Sequence, residues 1–437
     1  MIKSGGHADL PLHGGIVPKW LADRMMVMGT LITEALVDNF GSDEVLVRLS
    51  DPMWFQSFGA VLGMDWHSSG ITTSVMYALK RGINSRSQDL GLYVCGGRGK
   101  YSRLTPKELL EHADRTGLNG DKLVDTSKLC AKIDNNAVQD GFQLYQHNFI
   151  VSRSGKWTVV QQGMNTETKT ARRYHWSSSD LRSFVENPHS GVVGENRGRI
   201  LNLTDTKART TRDKVLELSL WDPEKLIREI NQMKSPANQM IVMEGGKVAK
   251  PVQKEEIVRI PPPSFQRCGP FGEVLHNTND RNIVMPFHHD VRAEDIDLKR
   301  LGGVLATAYT TRPESFEKLM LTPGLGPRTL QSLTLVSEII YGTPSRFTDP
   351  ARFSFAHGGK DGHPFPVPLK VYNESIRVLG QSIEKSKLGD NDKTECLKRL
   401  HQTALYVERN CQPEVDFDKA TAYERSMSPE WDGRCGH

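Results

Sequence analysis

The sequence predicts an α/β domain followed by an all-α domain. Helix and strand patterns alternate over residues 1 to about 200, which is typical of an α/β domain. From about Asp295 onward the chain shows helical periodicity only. Between these regions, residues 233–264 lack periodicity and contain Pro261-Pro262-Pro263, which predicts a linker. We therefore divide the chain into an α/β domain (1–232), the linker (233–264), a helical domain (265–409) and a tail (410–437).

The first domain opens with a predicted helix, Pro18–Asn39, because Pro18 suits a first helical turn and apolar residues recur at helical spacing. Val45–Leu49 then predicts a short strand. A further helix is predicted to begin at Thr105, where Thr-Pro-Lys-Glu offers a cap, a first-position proline and a reciprocal glutamate. The other predicted elements are helices over residues 72–81 and 123–133 and a strand over residues 90–95.

A β-hairpin follows these helices. Phe142–Val151 and Lys156–Gln162 predict two strands, joined across Ser152-Arg-Ser-Gly155. Together with the earlier strands, the hairpin predicts a mixed sheet. The second domain is predicted to end with a long helix, Val371–Arg399.

Composition bounds the class of protein. The 437 residues carry a net charge of +4, and residues 167–214 contain ten basic against six acidic side chains, a local excess that could neutralise phosphates. No apolar run approaches the length of about 20 residues that spans a membrane. The N-terminal residues lack the character of a secretory signal, and the six cysteines include no C-x-x-C pair. We therefore expect a cytoplasmic protein with reduced thiols and no membrane partner.

The segment Leu319–Leu333 predicts two helices joined by a tight turn. Gly324 and Gly326 supply torsional freedom and leave room for a phosphate to approach bare amides. Pro327 suits the start of the second helix, and Arg328 adds a cation beside its N-terminus. The Pro-Gly-Leu-Gly core resembles the helix-hairpin-helix motif, which implies binding to the DNA backbone. The residues expected to contact DNA are Gly324, Gly326, Arg328, Thr329, Lys360, Arg172 and Arg173.

Six longer strings of the sequence are specific enough to indicate a family. One of them is Gly63-Met-Asp65-Trp-His67-Ser-Ser-Gly70, and together they cover residues 6–15, 48–56, 63–70, 159–165, 171–176 and 355–362. These strings resemble a prokaryotic family known as domain of unknown function 763. Membership implies little chemistry, so any reaction has to be inferred from the residues themselves.

The predicted hairpin also carries polar residues that suit catalysis. His147 lies on its first strand. Gln161 lies on its second strand, and Asn165 follows that strand. This order resembles the His-Lys-Asp motif of phospholipase D-like nucleases, in which a histidine attacks phosphorus and a partner histidine acts as the acid. Phe149 stands where that motif has lysine. With one motif per chain, such an enzyme would require a homodimer.

A metal-dependent route is the alternative chemistry. Asp134 and Asp140 precede the hairpin and could hold Mg²⁺ or Mn²⁺ for phosphodiester cleavage. Equally, Asp134 could cap a helix and Asp140-Gly141 could form a turn. Three histidine-containing clusters have spacings that permit metal contact but are not distinctive. They are His7-Asp9-His13, His288-His289-Asp290 and His357-Asp361-His363.

Together these patterns predict a DNA-binding protein of DNA processing or repair. The predicted chemistry is phosphodiester cleavage with His147, Gln161, Asn165 and Asp140 as catalytic residues. A monofunctional DNA glycosylase is one alternative, because Asp349 follows the turn at about the distance of that group's catalytic aspartate. A DNA-binding protein without catalytic activity is the other.

Overall fold

The computed structural model describes residues 10–11, 17–64, 69–233, 298–351 and 369–410. Its helices are α1 Lys19–Phe40, α2 Ser42–Ser50, α3 Pro52–Val61, α4 Gly70–Ser85, α5 Ser87–Leu90, α6 Thr105–Thr116, α7 Gly120–Lys132, α8 Arg209–Ser219, α9 Pro223–Met233, α10 Leu298–Thr311, α11 Phe316–Met320, α12 Pro327–Tyr341, α13 Leu369–Lys385 and α14 Asp390–Asn410. Its strands are β1 Leu10–Pro11, β2 Leu92–Arg98, β3 Val138–Gln139, β4 Gln143–Ser152, β5 Trp157–Asn165, β6 Thr170–Ser177, β7 Gly191–Val193, β8 Arg199–Asn202 and β9 Phe347–Thr348.

A six-stranded antiparallel sheet forms the centre of the fold. Its main path runs in the order β1-β6-β5-β4-β2, and β7 also pairs with β6. β4 and β5 form the predicted hairpin. A smaller antiparallel sheet has the order β3-β8-β9 and joins the two predicted domains, because β9 follows α12. The sequence prediction of a mixed sheet is corrected, since all described strand pairs are antiparallel.

Helices cover both faces of the central sheet. Successive strand side chains point to opposite faces, so Ile150 and Val160 pack against α1 to α4, whereas Phe149 and Val159 pack toward α6 and α7. The core between the sheet and α1 to α4 also includes apolar residues of α13 and α14. The core between the sheet and α6 and α7 continues into α8 to α12. The described parts of the two predicted domains therefore share both hydrophobic cores.

Two predicted elements differ from the structure. Residues 42–50 form helix α2 where Val45–Leu49 predicts a strand. Apolar residues occupy positions 45, 46, 47 and 49, so positions 45, 46 and 49 fit a helix face and positions 45, 47 and 49 fit a strand face. A Glu44–Arg48 ion pair of 2.7 Å connects successive helical turns. The predicted helix over residues 371–399 is two helices, α13 and α14, separated by Ser386–Gly389.

Other parts of the prediction are confirmed. α1 begins and ends within one residue of the predicted helix, and α6 begins at Thr105 as expected. Nearly all of the predicted linker lies outside the described residues, as does the tail after Asn410. Within the described ranges, no helix combines the length and apolar character needed to cross a bilayer.

Candidate functional site: the polar end of the sheet and the hairpin turn

Polar side chains replace apolar ones toward one end of the central sheet, on both faces. On the face toward α7, His147, Gln161 and Tyr174 lie side by side on three adjacent strands. On the opposite face the corresponding row is Gln146, Gln162 and Arg173. All six side chains are buried. Buried polar groups require hydrogen-bond partners, so each row has to be considered with its contacts.

His147 lies in a chain of hydrogen bonds. Its Nδ1 is 2.7 Å from Gln161 Oε1, and its Nε2 is 2.8 Å from Ser127 Oγ on α7. Because the amide oxygen can only accept, Nδ1 carries the proton and Nε2 accepts from the Ser127 hydroxyl. Burial lowers the pKa of His147, so the imidazole is neutral. A neutral imidazole that accepts from a hydroxyl is the arrangement of a general base and its nucleophile.

Asp134 continues this chain behind Gln161. It lies in a π-helical turn, Ile133–Ala137, and Gln161 Nε2 donates to its Oδ2. Trp176 Nε1 donates to the same oxygen at 2.9 Å, and His189 Nε2 lies 2.5 Å from Oδ1. Asp134 therefore orients Gln161, and through it His147, instead of capping a helix.

Asp140 belongs to a different cluster, centred on Arg172. The guanidinium of Arg172 is fully buried, with Nη1 2.9 Å from Asp140 Oδ2 and 3.0 Å from Asp349 Oδ1. Tyr174 also donates to Asp140 at 2.6 Å. The second oxygen of Asp349 accepts from Arg172 Nη2 at 3.0 Å and from the Arg197 backbone amide at 2.8 Å. Both carboxylates are thus committed to an ion-pair network that attaches the β9 region to the central sheet.

This network is relevant to the two other reactions that the sequence suggests, which are base excision by a glycosylase and metal-dependent phosphodiester cleavage. The glycosylase hypothesis requires Asp349 to meet a nucleotide, but Asp349 is buried and each of its oxygens has two protein partners. For the metal-dependent route, Asp134 and Asp140 lie in separate networks. Among the described residues, no group of three or more His, Cys, Asp or Glu side chains is arranged to hold a metal ion. The three histidine-containing clusters noted in the sequence lie outside the described residues.

Asn165 serves the turn that joins β5 and β6. Its Oδ1 accepts from the amides of Glu167 at 2.9 Å and Thr168 at 3.0 Å. This is the local side-chain-to-backbone bonding by which asparagine stabilises turns. The structure therefore brings His147 and Gln161 together and assigns Asn165 and Asp140 to other contacts.

The tight turn that the sequence predicts between two helices forms between α11 and α12. Gly324 has φ +80°, a conformation that strongly favours glycine, and both it and Pro323 are exposed. Gly326 precedes Pro327, the first residue of α12. Lys132 at the end of α7 donates from Nζ to the carbonyls of Thr322 and Leu325, at 3.2 Å each. The turn thus packs on the first domain through its carbonyl side.

The residues predicted to contact DNA fall into two groups. Gly324 is exposed and Arg328 half-buried, so both can meet a ligand at the surface. Gly326 and Thr329 are buried, and Arg172 and Arg173 have no exposed surface at all. Neither guanidinium can therefore reach a phosphate at the surface of this fold. Lys360 lies outside the described residues.

Two candidate functional residues, Ser127 and Lys132, were not predicted from the sequence. Both lie on α7, where a serine and a lysine in an amphipathic helix resemble ordinary surface residues. Their importance comes from partners 20 to 193 positions away along the chain. No local pattern encodes contacts of that range.

Comparison with known proteins identifies a family. A family model described as protein of unknown function (DUF763) matches residues 6–367, which include the central sheet and the hairpin turn. No curated protein and no solved structure matches the chain. Because the matched residues make up most of the sequence, the chain belongs to the DUF763 family.

Proposed function

We propose that this protein binds the DNA backbone through the turn between α11 and α12, without reading base sequence. The observation that carries the proposal is the orientation of the turn. Its carbonyl oxygens are bound from the protein side, whereas its glycine tip faces solvent. A turn held in this way presents amides, which attract phosphate, instead of carbonyls, which repel it.

The inner side of the turn is held by three side chains. Lys132 binds two carbonyls, Asn136 Nδ2 donates to Leu325 O at 3.3 Å, and Gln139 Nε2 donates to Pro327 O at 2.8 Å. Each of these contacts satisfies a carbonyl on the inner side of the turn, where it would otherwise be buried without a partner. The Lys132 ammonium also adds positive charge directly behind the turn.

The outer side of the turn suits an anion. In the part of the chain that the structure describes, the amide of Gly324, which is exposed, donates to no protein acceptor. Arg328 lies in the first turn of α12, which contains no acidic residue. The positive end of the helix dipole adds to the same field. Amides, helix end and guanidinium together match the requirements of a backbone phosphate.

Arg328→Glu is expected to weaken DNA binding at all sequences by about tenfold or more at low salt, and to reduce the salt slope by about one unit for each phosphate that the variant no longer neutralises. Fluorescence anisotropy with unrelated duplexes over a range of salt measures both quantities. Lys393→Glu is the control, because it makes the same change of charge on α14, which packs on the opposite side of the central sheet from the turn. This variant should bind DNA like the wild type. Equal binding by the folded Arg328→Glu variant would exclude the turn from the interface.

A second candidate activity is phosphodiester cleavage, favoured by the order Ser127–His147–Gln161–Asp134. Ser127 and His147 are 3% and 6% exposed, so this activity requires α7 to move away from the sheet and admit the substrate. In this arrangement Ser127 Oγ would bond to phosphorus while His147 Nε2 takes its proton. The same proton then passes to the departing strand oxygen as the P–O bond breaks. Water, activated by His147, hydrolyses the phosphoserine. His147 is thus the base and not the attacking atom of the phospholipase D-like hypothesis.

Cleavage is tested with labelled single-stranded, duplex and forked DNA, in Mg²⁺, in Mn²⁺ and in chelator. The serine mechanism predicts products in chelator, and their loss in Ser127→Ala and in His147→Ala. His112→Ala on α6 is the control, because His112 stacks on Tyr93 outside the hydrogen-bond chain. Activity that chelator abolishes would favour a metal route. No cleavage by wild type would leave DNA binding as the function.

A further inference from the structure

The segment Arg98–Lys107 forms a basic loop at one edge of the central sheet. It runs from the last residue of β2, the outermost strand on the main path of the sheet, into the first turn of α6. The segment contains the cations Arg98, Lys100, Arg103 and Lys107 and no acidic residue. All of these cations are exposed. The basic loop therefore has the same net charge as the whole chain, which is +4.

Most of this charge has no counter-charge within the protein. In the described ranges of the chain, no carboxylate forms an ion pair with Arg98, Lys100 or Arg103. Lys107 lies 3.7 Å from Glu111, but both side chains are well exposed, and exposed pairs of this kind contribute little. The surface potential of the basic loop therefore stays positive, and it would attract a polyanion.

The backbone of the basic loop is held by bonds of its own. Ser102 Oγ donates to the carbonyl of Gly99 at 2.7 Å. The first acidic residue after the loop, Glu108, accepts from the Gly96 amide at 2.6 Å and is neutralised by Lys80 Nζ at 2.7 Å. Glu108 is thus committed to β2 and α4 and does not cancel the charge of the loop. A backbone ordered in advance loses little entropy when its side chains bind a partner.

An exposed aromatic ring lies in the middle of this charge. Tyr101 is 52% exposed, and Lys100 Nζ lies 5.4 Å from the centre of its ring. Gly97 permits a close approach of Tyr101 to β2, because an added Cβ there would lie 3.1 Å from Tyr101 Cβ. Proteins that bind single-stranded nucleic acid stack unpaired bases on such rings, while nearby cations neutralise the flanking phosphates.

Tyr77 on α4 shows that exposure of a tyrosine does not by itself produce such a surface. Tyr77 is 57% exposed and also has a cation beside its ring, since Arg81 lies 5.5 Å from the ring centre. Arg81, however, is paired with Asp23 at 3.0 Å. Tyr101 differs because the cations around it have no such partner. This difference favours a polyanion with flat rings over an apolar protein surface.

We propose that the basic loop binds single-stranded DNA, with an unpaired base stacked on Tyr101 and the adjoining phosphates beside Lys100 and Arg103. The inference rests on the proposed function for the class of partner, and it adds that the bound DNA contains unpaired bases. Duplex DNA could meet the cations, but its bases are already stacked on one another and offer no free face to the ring. Tyr101 would therefore distinguish a single strand from a duplex.

The test is fluorescence anisotropy of the full chain with a labelled oligothymidylate, an abasic strand of the same length and a duplex. We expect Tyr101→Ala to weaken binding of oligothymidylate at least fivefold, and to leave binding of the abasic strand and of the duplex unchanged. Tyr101→Phe keeps the ring and should bind like the wild type. Arg103→Ala should reduce the salt slope on both single strands by about 0.7, because it removes a phosphate contact.

Tyr77→Ala is the matched control, since it removes an equally exposed tyrosine from a surface without unpaired cations. This variant should bind all three ligands like the wild type. Alanine retains the Cβ of Tyr101 that lies against Gly97, so Tyr101→Ala should fold, and its Tm checks this.

The possible outcomes separate this inference from the proposal for the turn. Equal binding of oligothymidylate by the wild type and by folded Tyr101→Ala would overturn it, whatever Arg328→Glu does to duplex binding. An equal loss on the abasic strand would also overturn it, because Tyr101 would then shape the loop and not stack a base. Displacement of the strand by polyglutamate as effectively as by unlabelled oligothymidylate, at equal charge, would point to an acidic protein instead. A loss in Tyr101→Ala with normal duplex binding by Arg328→Glu would support the basic loop and exclude the turn.

Discussion

Arg172→Met is expected to lower the free energy of unfolding by about 3–5 kcal/mol, because two buried carboxylates share this guanidinium. Carboxylate oxygens of Asp140 and Asp349 lie 2.9 and 3.0 Å from its Nη1. Methionine matches part of the arginine volume but leaves both carboxylates without their cation. The destabilisation should be largest where Asp349 attaches the β9 region to the central sheet. Hydrogen exchange there should speed up more than in α1.

The pH dependence identifies the cause of this destabilisation. Burial already raises the pKa of Asp140, and the charge of Asp349 raises it further, while Arg172 opposes both. Without Arg172, the native state would take up protons at a higher pH than the unfolded chain does. Its stability relative to wild type should therefore recover as pH falls. Urea unfolding over a range of pH measures this, and a destabilisation that stays constant with pH would indicate a packing defect.

The adjacent substitution Arg173→Met is the matched control. It removes the same side chain one position along the strand, on the opposite face of the sheet, where no carboxylate of the described chain forms an ion pair with it. The two arginines are neighbours in sequence and opposite in environment. A large destabilisation for Arg172 and little or none for Arg173 would separate the effect of the ion pair from the effect of removing a long buried side chain.

Local patterns accounted for much of the fold. The apolar stripe of α1 and the alternation of β4 and β5 are properties of short segments, so they could be predicted directly. The α2 segment could not, because its apolar residues at 45, 46, 47 and 49 contain both a helical pattern (45, 46 and 49) and a strand pattern (45, 47 and 49). The relative direction of the strands in the sheet could not be predicted either, because it depends on which strands distant in sequence pair with each other.

The candidate site shows the same limit. His147 and Gln161 were identified because polar residues among apolar strand neighbours need partners or a task. Their partners, Ser127 and Asp134, are set by the packing of α7 on the sheet. Arg172 and Arg173 looked like one basic patch in the sequence. The strand places them on opposite faces, where neither is exposed.

Gly96→Ala is expected to destabilise the protein strongly, and it tests how closely β2 approaches the candidate site. Gly96 has φ +86°, a conformation that costs an alanine about 1–2 kcal/mol. An added Cβ would overlap the carbonyl oxygen of His147 and lie 2.5 Å from Thr105 Oγ1. Relieving that overlap requires β2 and β4 to separate, at a further cost of about 1–3 kcal/mol.

Gly99→Ala provides the matched control. Gly99 also has a positive φ, +57°, but an added Cβ would meet nothing within 4 Å. Its destabilisation in urea unfolding should stay near the torsional cost of about 1–2 kcal/mol. The difference between the two variants then measures the overlap with His147. Since His147 is held from behind by Gln161, any movement of its backbone should also weaken its bond to Ser127. Equal destabilisation in the two variants would mean that β2 and β4 are not closely packed at this end of the sheet.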